Sequence, residues 1–237
     1  MTTLLTPAAI EAIYANAAQS FQAGRLDEAE SRLAPALDAD APDARPWALA
    51  GFIRLRRADP AGALPLLAKA RRLDPRDPVL PQAHGDALSR TGNPVEAAEA
   101  YRVALTLSPG RVPAIAGLAR ALVDQDRAGD ALALLQPHVT TQTPDHSLLA
   151  VCAEVQGLLG QADAALASWR KATELYRQSG VAWHNLAAAL GDREQYEAAA
   201  SAARMAISLG VNGPATQLVL ARALQGQGKL EAAEAVY

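Results

Sequence analysis

A single cysteine in 237 residues leaves no partner for a disulfide and no second thiolate for a cysteine-based zinc site. Aromatic residues make up only 4% of the chain. With few Val, Ile and Thr beside them, this argues against a β-sandwich or barrel, whose strands draw on those types. No stretch approaches the roughly 18–20 uninterrupted apolar residues of a membrane span. The opening MTTLLTPAAIEA has no positive segment ahead of an apolar run. No secretory leader and no membrane partner are therefore expected, and the expected location is cytoplasmic. Excess basic charge is missing too: 22 Lys and Arg stand against 25 Asp and Glu, a net charge of −3. That excludes a generically basic nucleic-acid binder, and no nucleic-acid partner is expected. The sequence contains no GxxxxGK[ST], no GxGxxG and no nucleophile elbow.

Alanine is abundant, at 56 of 237 residues. An Ala- and Leu-rich chain favours helices in close contact. The alanines are also periodic. GRLDEAESRLAPAL (24–37), DPAGALPLLAKARRLDP (59–75), GNPVEAAEAYRVALTLSP (92–109), GQADAALASWRKATEL (160–175) and GKLEAAEAVY (228–237) align without a gap at a period of 34. Registers starting at 10, 44, 78, 112, 146, 180 and 214 give six repeats and an incomplete seventh, after a lead-in over 1–9. Position 20 is Ala29, Ala63, Ala97, Ala131, Ala165, Ala199 and Ala233. Position 8 is always small: Ala17, Gly51, Gly85, Ala119, Ala153, Ala187 and Ala221. Position 27 is alanine in repeats 1, 2, 3, 5 and 6, but His138 in repeat 4.

Small residues, one column in each half of the repeat, let two helices cross closely. Bulk fills the space beside them, with Leu33, Leu67, Tyr101, Leu135, Trp169 and Tyr237 at position 24 and Trp47 and Trp183 among those at position 4. Asp59–Pro60 and Asn93–Pro94 read as an N-cap followed by proline at the first helical position. Asp74–Pro75 and Ser108–Pro109 stop the second helix. In repeat 4 that helix carries Pro137 and His138 and is followed by a TTQT run. It is expected to end early or kink, with weak coupling to repeat 5 and early amide exchange over 136–145.

The pattern resembles the tetratricopeptide repeat (TPR). PWALAGFIRL (46–55) and AWHNLAAAL (182–190) match the first half of the family motif, and EAAEAYRVALTLSP (96–109) the second. The resemblance spans 10–237 and implies an all-α fold, a right-handed α-solenoid of antiparallel helix pairs. Its implied function is a protein-protein interaction scaffold that binds a peptide or partner segment in the concave groove. The alternative it raises is the substrate-recruiting arm of a larger enzyme of sulfotransferase, glycosyltransferase or iron-dependent oxygenase type.

No residues ask to be read as catalytic. His138, His146 and Cys152 share a 15-residue window, but His146 and Cys152 are six apart and off one helical face. They read as two loop histidines and a packed thiol, so no metal and no cofactor are expected. Family grooves are lined by first-helix positions 2, 5, 6, 9, 12 and 13. That mapping selects Tyr14, Phe21, Arg45, Phe52, Leu55, Arg56, Asp86, Arg90, Arg120, His184 and Asn185. Arginines beside Tyr14, Phe21, Phe52 and Leu55 suit an acidic peptide partner. The competing reading pairs them with Asp86, Asp124 and neighbouring carboxylates. The chaperone-tail carboxylate clamp is absent, because Asn185 stands after Ala150 and Glu154 where lysine and asparagine are needed. Lys69, Arg71 and Arg72 read as a solvated ridge. Leu218, Leu220 and Leu224 read as uncovered, with self-association through the C-terminal end as the expectation.

Overall fold

The computed structural model describes residues 5–236, and among these there are fourteen α-helices and no strand. First helices of successive repeats are α1 (Pro7–Gln22), α3 (Ala44–Arg56), α5 (Val79–Arg90), α7 (Val112–Val123), α9 (His146–Leu158), α11 (Gly180–Asp192) and α13 (Pro214–Gly226). Second helices are α2 (Leu26–Asp38), α4 (Pro60–Leu73), α6 (Pro94–Leu107), α8 (Ala128–Val139), α10 (Ala162–Leu175), α12 (Tyr196–Ser208) and α14 (Leu230–Glu234). Every second helix begins 34 residues after the one before it. The chain divides into two compact units at Asp126–Arg127, one holding α1–α7 and the other α8–α14. No described helix is long and apolar enough to cross a membrane.

Each helix pair turns through the same strained point. Gly24, Gly92, Gly160 and Gly228 have φ of 71–77°, and Ala58, Asp126 and Glu194 occupy the same column at 56–60°. Left-handed backbone costs a residue with a Cβ about 1–2 kcal/mol. Three repeats bear that cost without glycine, so the turn geometry is imposed by the helix packing around it. Asp59 caps α4 as expected, accepting from the Gly62 N–H at 2.9 Å. Asn93 sits at the N-cap of α6 but its side chain makes no cap bond. Its amide donates instead to the Thr91 carbonyl and hydroxyl.

The small columns lie where the helices meet. Ala17, Ala119, Ala187 and Ala221 are fully buried, as are Ala29, Ala63, Ala97, Ala131 and Ala199. A Cβ on Gly51 would stand 2.7 Å from Leu67, and one on Gly85 would stand 2.9 Å from the Tyr101 ring. Position 8 is thus small because position 24 of its own repeat fills the space. Leu33, Leu67 and Leu135 are wholly buried, each worth roughly 1.5–3 kcal/mol. The sixth repeat has Ala203 there, also buried. Tyr237 lies outside the described residues. The tryptophans of position 4 do a second job. Trp47 donates to the Ala41 carbonyl and Trp183 to the Arg177 carbonyl, both at 2.9 Å, pinning the turn six residues before each.

Several sequence expectations need correction. Helix α1 starts at Pro7, inside the lead-in, because Thr6 caps it by accepting from the Ala9 N–H. His138 and His146 are helical, near the end of α8 and at the start of α9. Helix α8 runs through Pro137 and stops at Val139, two residues short of the equivalent ends of α4, α6 and α10. Lys69 pairs with Asp40 at 2.9 Å and lies over Trp47, and Arg71 is half-buried against His84, so only Arg72 fits a solvated ridge. Leu220 and Leu224 are buried among Ala199, Ala203 and Ala233, and only Leu218 is exposed. The apolar side of α13 is therefore already packed within its own unit.

Candidate functional site

In the first unit the first helices touch in series, α1 on α3, α3 on α5 and α5 on α7. These four helices form a wall of neighbours whose residues include Tyr14, Phe21, Arg45, Phe52, Leu55, Arg56, Asp86, Arg90 and Arg120. Phe21 and Tyr14 are half-buried against the Leu33 and Ile53 core, and Phe52 and Leu55 against the Leu67 and Ala83 core. Half-burial fixes the rings while leaving part of each available.

The arginines of this wall divide into two kinds. Arg45 is engaged. It bonds Asp43 at 2.6 Å and Glu11 at 2.6 Å, with its guanidinium 5.1 Å from the Tyr14 ring centroid. The Arg45 hydrogen bonds hold the Asp43 carboxyl below the usual carboxylate range, against the opposing effect of burial. Arg56 and Arg90 are held differently, each by a backbone carbonyl one repeat back. Arg56 donates to the Phe21 carbonyl at 3.4 Å and stacks 4.5 Å over the Phe21 ring. Arg90 donates to the Leu55 carbonyl at 3.1 Å. These carbonyls belong to the last turns of α1 and α3, where a cation is favoured by the helix dipole. Among the described residues no carboxylate pairs with Arg56, Arg90 or Arg120, and all three are exposed.

The competing reading, pairing with Asp86, Asp124 and neighbouring carboxylates, holds for Arg45 through Asp43 and Glu11, but Arg56, Arg90 and Arg120 pair with none of them among the described residues. Asp86 accepts from the Tyr101 hydroxyl at 2.8 Å and from Gln82 at 3.3 Å. Burial and the Asp86 charge push the Tyr101 phenol well above its ordinary value, so it stays a donor. Tyr101 reaches Asp86 between Gly85 and Gly117, where a Cβ on Gly117 would lie 2.4 Å from the ring. Gln82 in turn accepts from Arg111 at 2.5 Å.

His184 and Asn185 lie in the second unit, on α11. The His184 Nδ1 is 3.0 Å from the buried Thr216 hydroxyl of α13. That bond ties two first helices together and accounts for the histidine structurally. In this unit sequence reasoning missed a cavity of about 390 Å³ between α11 and α13. It is lined by Asp192, Arg222 and Gln225, which the groove columns include, and by Gly191, Tyr196 and Gly226, which went unnoticed. The signal was a pair of glycines at positions 12 and 13, where other repeats carry Phe21, Leu55, Arg56, Arg90 or Leu158. Among the described residues, Tyr196 is the only aromatic one at the start of a second helix.

Comparison with known proteins agrees with this architecture. The family described as Tetratricopeptide repeat matches residues 67–210, more than half of the chain. No curated protein matches the sequence. Among solved structures, a tetratricopeptide repeat protein from Parabacteroides merdae superposes with a TM-score of 0.76 at 12% identity, covering 96% of this chain and 90% of that one. PilF of Pseudomonas aeruginosa gives 0.70 at 18% identity, over 88% and 95%. YrrB, described as a TPR protein with an unusual peptide-binding site, gives 0.54 at 20%, over 78% and 95%. At these identities the likeness is one of fold.

Proposed function

The chain belongs to the tetratricopeptide repeat family, a family of protein-interaction scaffolds that are typically non-catalytic, and on that premise we propose that it binds an extended acidic segment of a partner protein along the first-helix wall of α1–α7. The observation that carries this reading is the state of Arg56, Arg90 and Arg120. Each is exposed and without a carboxylate partner among the described residues. Arg56 and Arg90 are also positioned in advance by their carbonyl bonds. A guanidinium so held loses less side-chain entropy on meeting a carboxylate, and its remaining N–H groups can engage one in a forked pair. Both occupy position 13 of their repeats, so a chain running along the wall meets them in turn. Half-buried Phe21 and Leu55 beside them offer apolar contact. Arg45 is left out of the binding set, because Asp43 and Glu11 already satisfy it.

The test is titration of a fluorescein-labelled peptide of alternating Glu and Leu against the protein and against an Arg56→Glu, Arg90→Glu double variant. Binding is expected to weaken at least tenfold in the variant and to lose much of its salt dependence. The reading is falsified if the double variant keeps its helical circular dichroism and binds the peptide unchanged.

A further inference from the structure

We infer that the cavity between α11 and α13 is a side-chain pocket that receives one bulky apolar residue of an extended peptide, with a neighbouring acidic residue of the same peptide held by Arg222. The inference rests on the first helices being a peptide-binding wall, and it adds a specificity site on the second unit that is separate from Arg56 and Arg90.

The cavity is built by deletion and by one ring. Gly191 lines it, and a Cβ added there would meet nothing within 4 Å. On α13, Gly226 makes room of another kind. A Cβ there would stand 2.5 Å from the Tyr196 ring, so this glycine admits the ring as a wall of the cavity. The Tyr196 backbone is fixed in turn, since Gln227 donates to its carbonyl at 2.9 Å. Ala188, Val219 and Ala223 complete an apolar lining. About 390 Å³ is within the range of sites that enclose a small ligand, and is ample for a Phe, Leu or Met side chain. A flat aromatic wall favours a ring or a thioether.

Polar groups at the same cavity define the rest of the ligand. Asp192 and Arg222 both line it, and among the described residues neither takes part in an ion pair, with the other or elsewhere. An extended peptide always offers N–H donors, and these suffice for Asp192. A backbone carbonyl gives Arg222 only a neutral acceptor, whereas a carboxylate gives it a charged, forked one. The ligand is therefore an apolar residue next to Glu or Asp.

The experiment uses the whole chain and three acetylated, amidated tetrapeptides as probes: Gly-Glu-Phe-Gly, Gly-Glu-Ala-Gly and Gly-Gln-Phe-Gly. Amide resonances of Gly191, Val219 and Gly226 report on the cavity by NMR titration. The Glu-Phe peptide is expected to shift them, with the Glu-Ala peptide at least tenfold weaker and the Gln-Phe peptide severalfold weaker. Arg222→Gln should erase the difference between Glu-Phe and Gln-Phe. Gly191→Leu fills the cavity from a helical position that tolerates a side chain. It should abolish the shifts without lowering the melting temperature. Equal affinity for the Glu-Phe and Glu-Ala peptides, or unchanged binding by Gly191→Leu, overturns the pocket. The Glu/Leu peptide that tests the Arg56 and Arg90 wall is titrated in parallel. Its retained binding while the cavity arm fails sinks the pocket alone, and failure of both sinks the peptide-binding wall itself.

Discussion

Helical glycines in this chain have opposite meanings depending on what faces them. Gly117 faces the Tyr101 ring, which is buried and anchored by its bond to Asp86, so the ring cannot swing aside. Gly117→Ala gains helix propensity but forces a clash, and a net loss of about 1–2 kcal/mol is expected in chemical denaturation. Gly191→Ala meets open space and should gain about 0.5–1 kcal/mol by the same measurement. The left-handed turn column gives the reverse case. Ala58→Gly relieves a residue held at φ 56° and should stabilise by about 0.5–1 kcal/mol. His84 supplies a pH dependence. Arginine only donates, so the His84 Nδ1, 3.0 Å from Arg71, is the acceptor and the ring is neutral. Burial, and then the Arg71 charge, lower the His84 pKa below its ordinary 6.5. The unfolded chain therefore takes up the proton first as pH falls. The stability that neutral His84 contributes is full above about pH 6.5 and drains away below it. Melting temperatures measured from pH 7.5 to 5 should fall less steeply in His84→Gln, which keeps an acceptor but does not titrate.

Among the helices, α8 shows how far a local signal carries. Pro137, His138 and the TTQT run point to a shortened helix with loose surroundings, and the helix does stop at Val139. The compensation comes from a distant part of the chain. The Lys171 ammonium on α10 donates to the Val139 and Thr141 carbonyls at 2.8 and 3.2 Å, and the Tyr176 hydroxyl donates to the Pro144 carbonyl at 2.6 Å. Those bonds satisfy carbonyls and leave the amides of 141–143 unprotected, so early hydrogen exchange is still expected there. In Lys171→Met the exchange should spread back into 136–140, with rates up about tenfold for each 1.4 kcal/mol lost. Rates at 136–140 equal to those of the parent would show that the lysine does not hold the helix end. The helices themselves were legible in the sequence because one 34-residue pattern of small and bulky residues repeats, and a repeated constraint is visible without coordinates. The state of each groove residue was not. Whether Arg56 meets a carboxylate or the Phe21 carbonyl depends on side-chain reach across a repeat boundary, and the α11–α13 cavity consists of side chains that are missing.

Stability in a chain of this construction is set by neighbours. In the first unit each helix packs on the next in sequence, and each first helix on the next first helix, and every long-range side-chain bond described above either stays within one repeat or joins adjacent repeats. Free energy in such arrays is approximately a sum of repeat and nearest-neighbour contributions. A core defect should therefore be felt close by and fade along the chain. Leu67 is a stringent place to look, since it is wholly buried and lies against Gly51, and its truncation to alanine leaves a cavity with little freedom to collapse. Leu67→Ala should cost about 2–5 kcal/mol in the repeats that contain it. Native-state hydrogen exchange is then expected to show protection lost in α3, α4 and α5, with α11, α12 and α13 exchanging as in the parent. That outcome also bears on binding, because a wall assembled from separable neighbours can lose its α3–α5 portion while the cavity lined by Gly191 and Tyr196 stays intact. Protection falling by the same factor in all fourteen helices would instead mark one cooperative unit, and the neighbour-limited account of this fold would have to be given up.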